Sequence, residues 1–411
     1  MITGIIAFIV LGGACWLALR RAVYNIFDPL IVVTFFIPCA GGFLAFLCDN
    51  DLVTWDKFGL FCLVLFAYLW GARMSAAFFG LTTFRETVHR TLARITHGEL
   101  VTILLLTVGC TLVLAVLGIQ AGAQGDARQD FARLMRPLVL FQSGLFSFSL
   151  VLLLSSKVSN AARSMWLFAL VILSIPFSGK SILLPVLYWY GFKLYLDRKP
   201  VGLGIAIALP SFVAVGVGVM GMLAYGASSI KAMAYLFLSR LWLSGDTYIY
   251  AYQQNGLEAI RGTYQVGFLA YMLHPITSLV GLRAYEKPLG AMLQSEVFGV
   301  DVLTGPNPHL PVIMDFFFPN QLLFSFLISF TIGMLVVGIR PFGAYLTTSR
   351  SRYLGLGGIV AVVFCPGGGF LDFSQVLIGL VGITSVIAVG VMLELIFNKV
   401  PRYSASTGQL A

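Results

Sequence analysis

Lys180 lies in Ser178-Gly179-Lys180-Ser181, between two short apolar runs, and Arg240 lies in Leu238-Ser239-Arg240-Leu241-Trp242, shortly before Asp246. A cation among apolar residues is costly unless an anion or an aqueous pocket meets it. At Lys180, Ser181 and the backbone N–H groups that open the next helix would add to an anion contact. The plainer reading there is a lysine snorkelling to an interface. Arg240 offers a guanidinium fork suited to phosphate, and the plainer reading pairs it with Asp246 to hold a loop's shape. Arg136, before Pro137, is a third candidate cation for the same anion.

His309 lies in Gly305-Pro306-Asn307-Pro308-His309-Leu310-Pro311. The prolines make a stiff, non-helical segment that can hold an imidazole rigidly at the mouth of a cavity. Imidazole suits general-base work near neutral pH. The plainer reading is a structural histidine. His274, before Pro275, is the secondary candidate. Two separated histidines with no neighbouring acidic cluster give no basis for a metal site. Neither a Walker-type nor a Rossmann glycine pattern occurs, so no nucleotide cofactor is expected.

The elements that must position these residues are apolar. Of 411 residues, 59% are hydrophobic and 10% charged, against roughly 25% charged in a soluble domain. Lipid must therefore solvate much of the exterior. Alternating segments of the barrel kind are absent, so an all-α polytopic integral membrane protein is expected. About eleven transmembrane helices are read at roughly 3–19, 29–47, 58–79, 100–119, 138–156, 164–177, 181–195, 201–225, 319–339, 354–366 and 373–397. Outside the long 226–318 stretch most basic residues follow odd-numbered spans, Lys399 and Arg402 after the last among them, and the short opposite-side gaps carry only Lys57, Arg128, Arg133, Arg136 and Lys180. Arg20 and Arg21 follow the first, Arg85, Arg90 and Arg94 the third, Lys157 and Arg163 the fifth, and Lys193, Arg198 and Lys199 the seventh. Arg340, Arg350 and Arg352 follow the ninth. This one-sided distribution predicts a cytoplasmic face, with the N-terminus outside and the C-terminus inside. The net charge of +9 is then positive-inside bias and not a nucleic-acid signal. Met1 to Leu19 is apolar from its start with its basic residues after it, the reverse of a signal peptide. The six cysteines form no CxxC pair and read as packing thiols. Within the spans, only Arg73 and Glu394 are charged away from obvious ends.

Three regions follow: an N-terminal bundle of about eight helices over 1–225, a long outer loop over 226–318, and about three C-terminal helices over 319–411. The loop is apolar in patches yet carries Lys231, Arg240, Asp246, Glu258, Arg261, His274, Arg283, Glu286, Asp301, His309 and Asp315. Long loops are usually functional. Ser228 to Leu243 reads as an amphipathic helix at the membrane surface. The Tyr-rich Thr247–Tyr252 continues it at the interface.

The outline resembles the bacterial O-antigen polymerases, the oligosaccharide repeat-unit polymerases that are distantly related to O-antigen ligases. The resemblance covers the topology and three segments in order. Pro176–Leu184 is similar to the family's small–Ser–Arg–Gly segment, with Lys180 where Arg is usual. Leu238–Leu241 with Asp246 and Tyr248 resembles the arginine segment that opens the large loop. Gly305–Leu310 running to Phe318 resembles the Pro/His segment. The resemblance implies a glycosyltransferase of the inner membrane, without metal or nucleotide sugar, acting at the periplasmic face. Donor and acceptor would both be undecaprenyl-pyrophosphate-linked glycans, and a chain-length-regulating membrane protein is a further implied partner. His309, Arg240 and Lys180 are the expected catalytic residues. Arg136, Asp246, Tyr248, Arg261, His274, Arg283 and Asn307 are the expected substrate contacts. Alternatives are an O-antigen ligase with a similar outer site, a flippase or transporter for lipid-linked glycans, and a structural membrane subunit. The polar residues gather in an outer loop and not in the spans, which favours an enzyme over a transporter.

Overall fold

The computed structural model describes residues 2–120, 135–155, 157–178, 183–204, 246–278, 282, 285, 287–299, 308–364, 370 and 373–399. These residues are helical and contain no strand. The apolar runs form α1 (Ile2–Leu19), α2 (Pro29–Asp49), α3 (Trp55–Ala76), α5 (His97–Gln120), α6 (Arg136–Leu152), α7 (Asn160–Ser178) and α8 (Leu183–Leu196). Near the C-terminus they form α13 (Leu322–Leu346), α14 (Arg352–Phe364) and α15 (Phe373–Lys399). Among the described residues, five helices are long and apolar enough to cross a bilayer: α1, α2, α3, α5 and α13. The described residues are thus all-α, with several helices of the length and composition that cross a membrane. The expected span at 201–225 and the amphipathic helix at 228–243 lie outside or almost wholly outside the described residues.

Local signals set the helix ends. Asp28 caps α2, its carboxylate accepting from the Leu30 N–H at 2.8 Å, and Pro29 occupies the first turn. The segment at 81–94, read from sequence as part of a basic loop, is an amphipathic helix, α4 (Leu81–Arg94). Phe84, Thr87, Val88, Thr91 and Leu92 are buried on one face at helical spacing. His89 and His97 are exposed.

Helices α3 and α13 form the most extensive pairing in the bundle. Gly71 and Gly333 make it possible. A Cβ on Gly71 would strike the Phe330 carbonyl oxygen, and one on Gly333 would strike that of Tyr68. Backbones approach this closely in membranes only where side chains are absent. Ser75 adds a hydroxyl bond to the Met334 carbonyl at 2.7 Å. Between α5 and α6, Thr107 and Ser149 hydroxyls lie 2.6 Å apart and Gln142 donates to Thr111 at 3.0 Å.

The two ends of the bundle differ. At one end Arg352 pairs with Glu99 at 2.8 Å and Glu394 at 3.6 Å, and Arg94 donates to the Ser349 carbonyl at 3.0 Å. Lys157 reaches the Ala93 and Ile95 carbonyls there. The opposite end holds the start of α3 and four short helices from the 246–318 segment: α9 (Gly256–Arg261), α10 (Phe268–Thr277), α11 (Leu289–Phe298) and α12 (Leu310–Phe317). Helix α12 packs on α3 and α10 on α15.

Arg340 corrects the sequence reading. It was expected in the loop after the ninth span, but it lies inside α13 with its side chain fully buried. Its guanidinium forms a fork on both oxygens of Asp28, one contact at 2.8 Å, and donates to the Ala22 carbonyl. The rings of Tyr24 and Phe79 flank it at 5.5 and 5.8 Å. A buried cation is tolerated here because an equally buried anion meets it in bidentate geometry.

Candidate functional site

Helix α12 is apolar through Leu310, Val312, Ile313, Met314 and Phe316, all buried, and Asp315 is the one charged residue among them. A buried carboxylate needs a partner. Lys57, in the first turn of α3, supplies it: Nζ lies 2.8 Å from Asp315 Oδ2 and 3.9 Å from Asp56 Oδ2. The Lys57 ammonium also sits over the Tyr252 ring, 5.3 Å from its centre. From α9, Arg261 donates to the Asp315 backbone carbonyl at 3.2 Å and pairs with Glu258 at 3.1 Å.

These residues wall a cavity of about 490 Å³, with Trp55, Thr54 and Asp51 completing its rim. Burial pushes the Tyr252 hydroxyl well above its ordinary pKa, and the Asp315 charge pushes the same way. A second cavity, of about 470 Å³, lies on the other side of the ion pair. Its wall is formed by Asp56, Leu60 and Leu63 of α3, Phe318, Asn320, and Leu322 at the start of α13. Lys57 and Asp315 line both cavities.

His309 caps α12 in an extended conformation, with Pro311 in the first turn. Its backbone is pinned because the next N–H, of Leu310, donates to the Phe370 carbonyl at 3.0 Å. The imidazole is buried, with Nδ1 3.1 Å from the Tyr248 hydroxyl and the two rings edge to face at 5.4 Å. Burial pushes its pKa from 6.5 down to about 3, so the ring is neutral at pH 7. Burial also raises the Tyr248 phenol well above its ordinary value. Tyr248 stacks on Tyr252, centroids 6.0 Å apart, and Phe61 of α3 closes on Tyr248 edgewise at 6.1 Å. A column of side chains therefore runs from Lys57 through Tyr252 and Tyr248 to His309.

The column depends on a turn of helix at Asp246–Tyr248 that widens into a π-helical turn at Ile249–Gln253. π-Helical turns are rare and frequent at functional sites. The tyrosines expected to lie at the membrane interface are mostly inside the protein instead: Tyr248 and Tyr252 are buried. Their flat rings fill the gap between the segment and α3.

The structure thus brings Tyr248 and His309 together and puts Arg261 beside Lys57, Asp315 and Tyr252. His274 stands apart, in the last turn of α10, stacked on Tyr285 at 3.7 Å. Arg136 begins α6 and Asp246 begins the turn before Tyr248, but their side chains are not among the described atoms. Lys180, Arg240, Arg283 and Asn307 lie outside the described residues. Lys57 and Asp315 were not singled out from sequence. The available signal was a lone carboxylate in the apolar run Leu310–Phe318, which demands a cation from elsewhere. Among the described residues, no group of three or more His, Cys, Asp or Glu is placed to hold a metal ion. Comparison with known protein families, characterised proteins and solved structures finds no significant match, and the site rests on its own geometry.

Proposed function

We propose that this protein is a membrane glycosyltransferase of the O-antigen polymerase kind, extending lipid-linked glycans at the outer face of the bacterial inner membrane. The observation that carries the reading is the cavity at Lys57, Asp315, Arg261 and Tyr252, at the end of the bundle opposite the cluster of Arg94, Lys157 and Arg352. Paired charges offer both donors and acceptors to sugar hydroxyls, and the exposed Trp55 ring offers a face to sugar C–H groups. In this reading Arg240 and Lys180, with Arg136, stabilise the charge that develops on the departing diphosphate. His309 acts on the acceptor side through Tyr248, holding the phenol with a neutral imidazole. The reading takes the N-terminus as outside and the C-terminus as inside, with the 226–318 segment periplasmic, on the positive-inside rule. An O-antigen ligase would use the same arrangement with a different acceptor.

The test is deletion of the gene followed by electrophoresis of the cell's lipopolysaccharide. Loss of the ladder with survival of single repeat units on the lipid core is the expected outcome. Survival of the full ladder overturns the reading. Loss of all repeats, single ones included, points to the ligase.

A further inference from the structure

Two cavities of similar size, about 490 and 470 Å³, share one wall, and that wall is an ion pair. They differ in what surrounds it. One side carries Arg261, Glu258 and Trp55. The other carries Leu60, Leu63 and Leu322 with Asp56 and Asn320 among them, and Leu322 at its edge is exposed and apolar, as a lipid-facing residue would be. A polar chamber and a lipid-side chamber thus meet at Lys57 and Asp315.

Resting on the glycosyltransferase reading above, we propose that the Lys57–Asp315 pair is the reaction centre: Asp315 takes the proton of a saccharide hydroxyl held in the polar chamber, and Lys57 meets the diphosphate of a lipid-linked glycosyl donor that enters from the lipid-side chamber. The acceptor hydroxyl oxygen attacks the donor's anomeric carbon. The new C–O bond forms as the bond from that carbon to the phosphate oxygen breaks, and the electron pair leaves on the lipid diphosphate. The hydroxyl proton passes to the Asp315 carboxylate and later to solvent. Nothing else is consumed.

The pairing gives the step an electrostatic logic. Before reaction the Lys57 charge is matched by Asp315 at 2.8 Å. When Asp315 gains the proton its charge disappears as a new one appears on the leaving phosphate. Lys57 then changes partner without moving far, and the net charge of this partly desolvated site is conserved. His309 is less suited to the proton-taking role. It is buried under Tyr248 away from both cavities, and burial opposes its protonation.

The experiment uses the full-length protein in lipid nanodiscs, with the undecaprenyl-diphosphate-linked repeat unit purified from cells that lack this gene. Asp315→Asn keeps the shape and an acceptor for Lys57 but cannot take the proton. Chain extension should fall about 10²–10⁴-fold, chiefly in kcat, while Asp315→Glu retains a part. The exchanged protein, Lys57→Asp with Asp315→Lys, restores an ion pair and should stay inactive while matching the wild type in thermal stability. Wild-type turnover by Asp315→Asn, or recovery of activity in the exchanged protein, overturns the assignment and leaves the glycosyltransferase reading standing. If the wild-type protein itself extends nothing, that reading falls and this one with it. Should the single variants fail to fold, the exchanged protein alone decides between a bridge and a reaction centre.

Discussion

Arg340 and Asp28 hold each other in a two-pronged ion pair from which solvent is wholly excluded, although 312 residues separate them in sequence. The pair also ties the cap of α2 to α13, because the same carboxylate accepts the N–H groups of Tyr24 and Leu30. Removing one partner leaves an uncompensated buried charge, at a cost of about 3–5 kcal/mol. Arg340→Met and Asp28→Asn should each lower the thermal midpoint of the detergent-purified protein and its abundance in membranes. The double variant Asp28→Asn with Arg340→Met should recover part of the loss. Single variants as stable as the wild type would show that the charges are not needed for folding.

The His309 environment makes stability pH-dependent in a definite direction. The folded pKa, about 3, lies below the unfolded value of 6.5. Between those values the unfolded chain binds more protons than the folded one. The contribution is therefore complete above pH 6.5 and is lost as pH falls toward 3. Thermal midpoints measured from pH 7 to pH 4 should drop less steeply for His309→Gln than for the wild type. Equal slopes would mean that the imidazole is solvated.

Loss of the Tyr248 hydroxyl should separate packing from hydrogen bonding. Tyr248→Phe keeps the ring stack and leaves the imidazole nitrogen without its partner, a cost of about 1–3 kcal/mol. His309→Ala removes both and should abolish polymer while protein still accumulates in the membrane. A full ladder from His309→Ala cells would make this histidine dispensable to function.

Arg240 and Lys180 are tested in cells. Arg240→Ala should eliminate polymer at normal protein levels, and Arg240→Lys should retain a fraction, because lysine keeps the charge and loses the fork. Lys180→Arg should be tolerated. Unchanged chain length and amount in Arg240→Ala would remove this arginine from the diphosphate site.

Single-cysteine labelling tests which end of the bundle faces out. A membrane-impermeant reagent should reach a cysteine beside Glu258, once the outer membrane is opened, and should miss one beside Arg90. The reverse pattern would invert the topology.

The helices were legible because apolar runs of spanning length leave few alternatives. Arg94, Lys157 and Arg352 do gather at one end, as their spacing relative to the spans predicts. Arg340 was misread for a physical reason. Pro341 follows it, and the residue before proline is biased away from helix, so the sequence suggests that α13 stops there. The helix instead continues to Leu346, held by tertiary packing. Helix α4 was written in its Phe84, Val88, Thr91 periodicity but obscured by the surrounding arginines. The Lys57–Asp315 contact joins residues 258 apart, and no local pattern reveals a pair formed only when α12 docks on α3. His309 and Tyr248 were each visible, but their hydrogen bond was not, since it depends on the π-helical turn that aims Tyr248 inward.

The glycine-to-carbonyl seam between α3 and α13 also bears on how the protein sits in its bilayer. At 22 and 25 residues, the two helices are about 33 and 38 Å long, more than the roughly 30 Å of hydrocarbon they would cross. A single helix relieves such excess by leaning. Two helices locked backbone to backbone must lean together, carrying Lys57 at the head of one and the start of the other at Leu322. Bilayer thickness then sets how deep the cavity mouth lies below the headgroups, and a thicker membrane draws it toward the acyl chains.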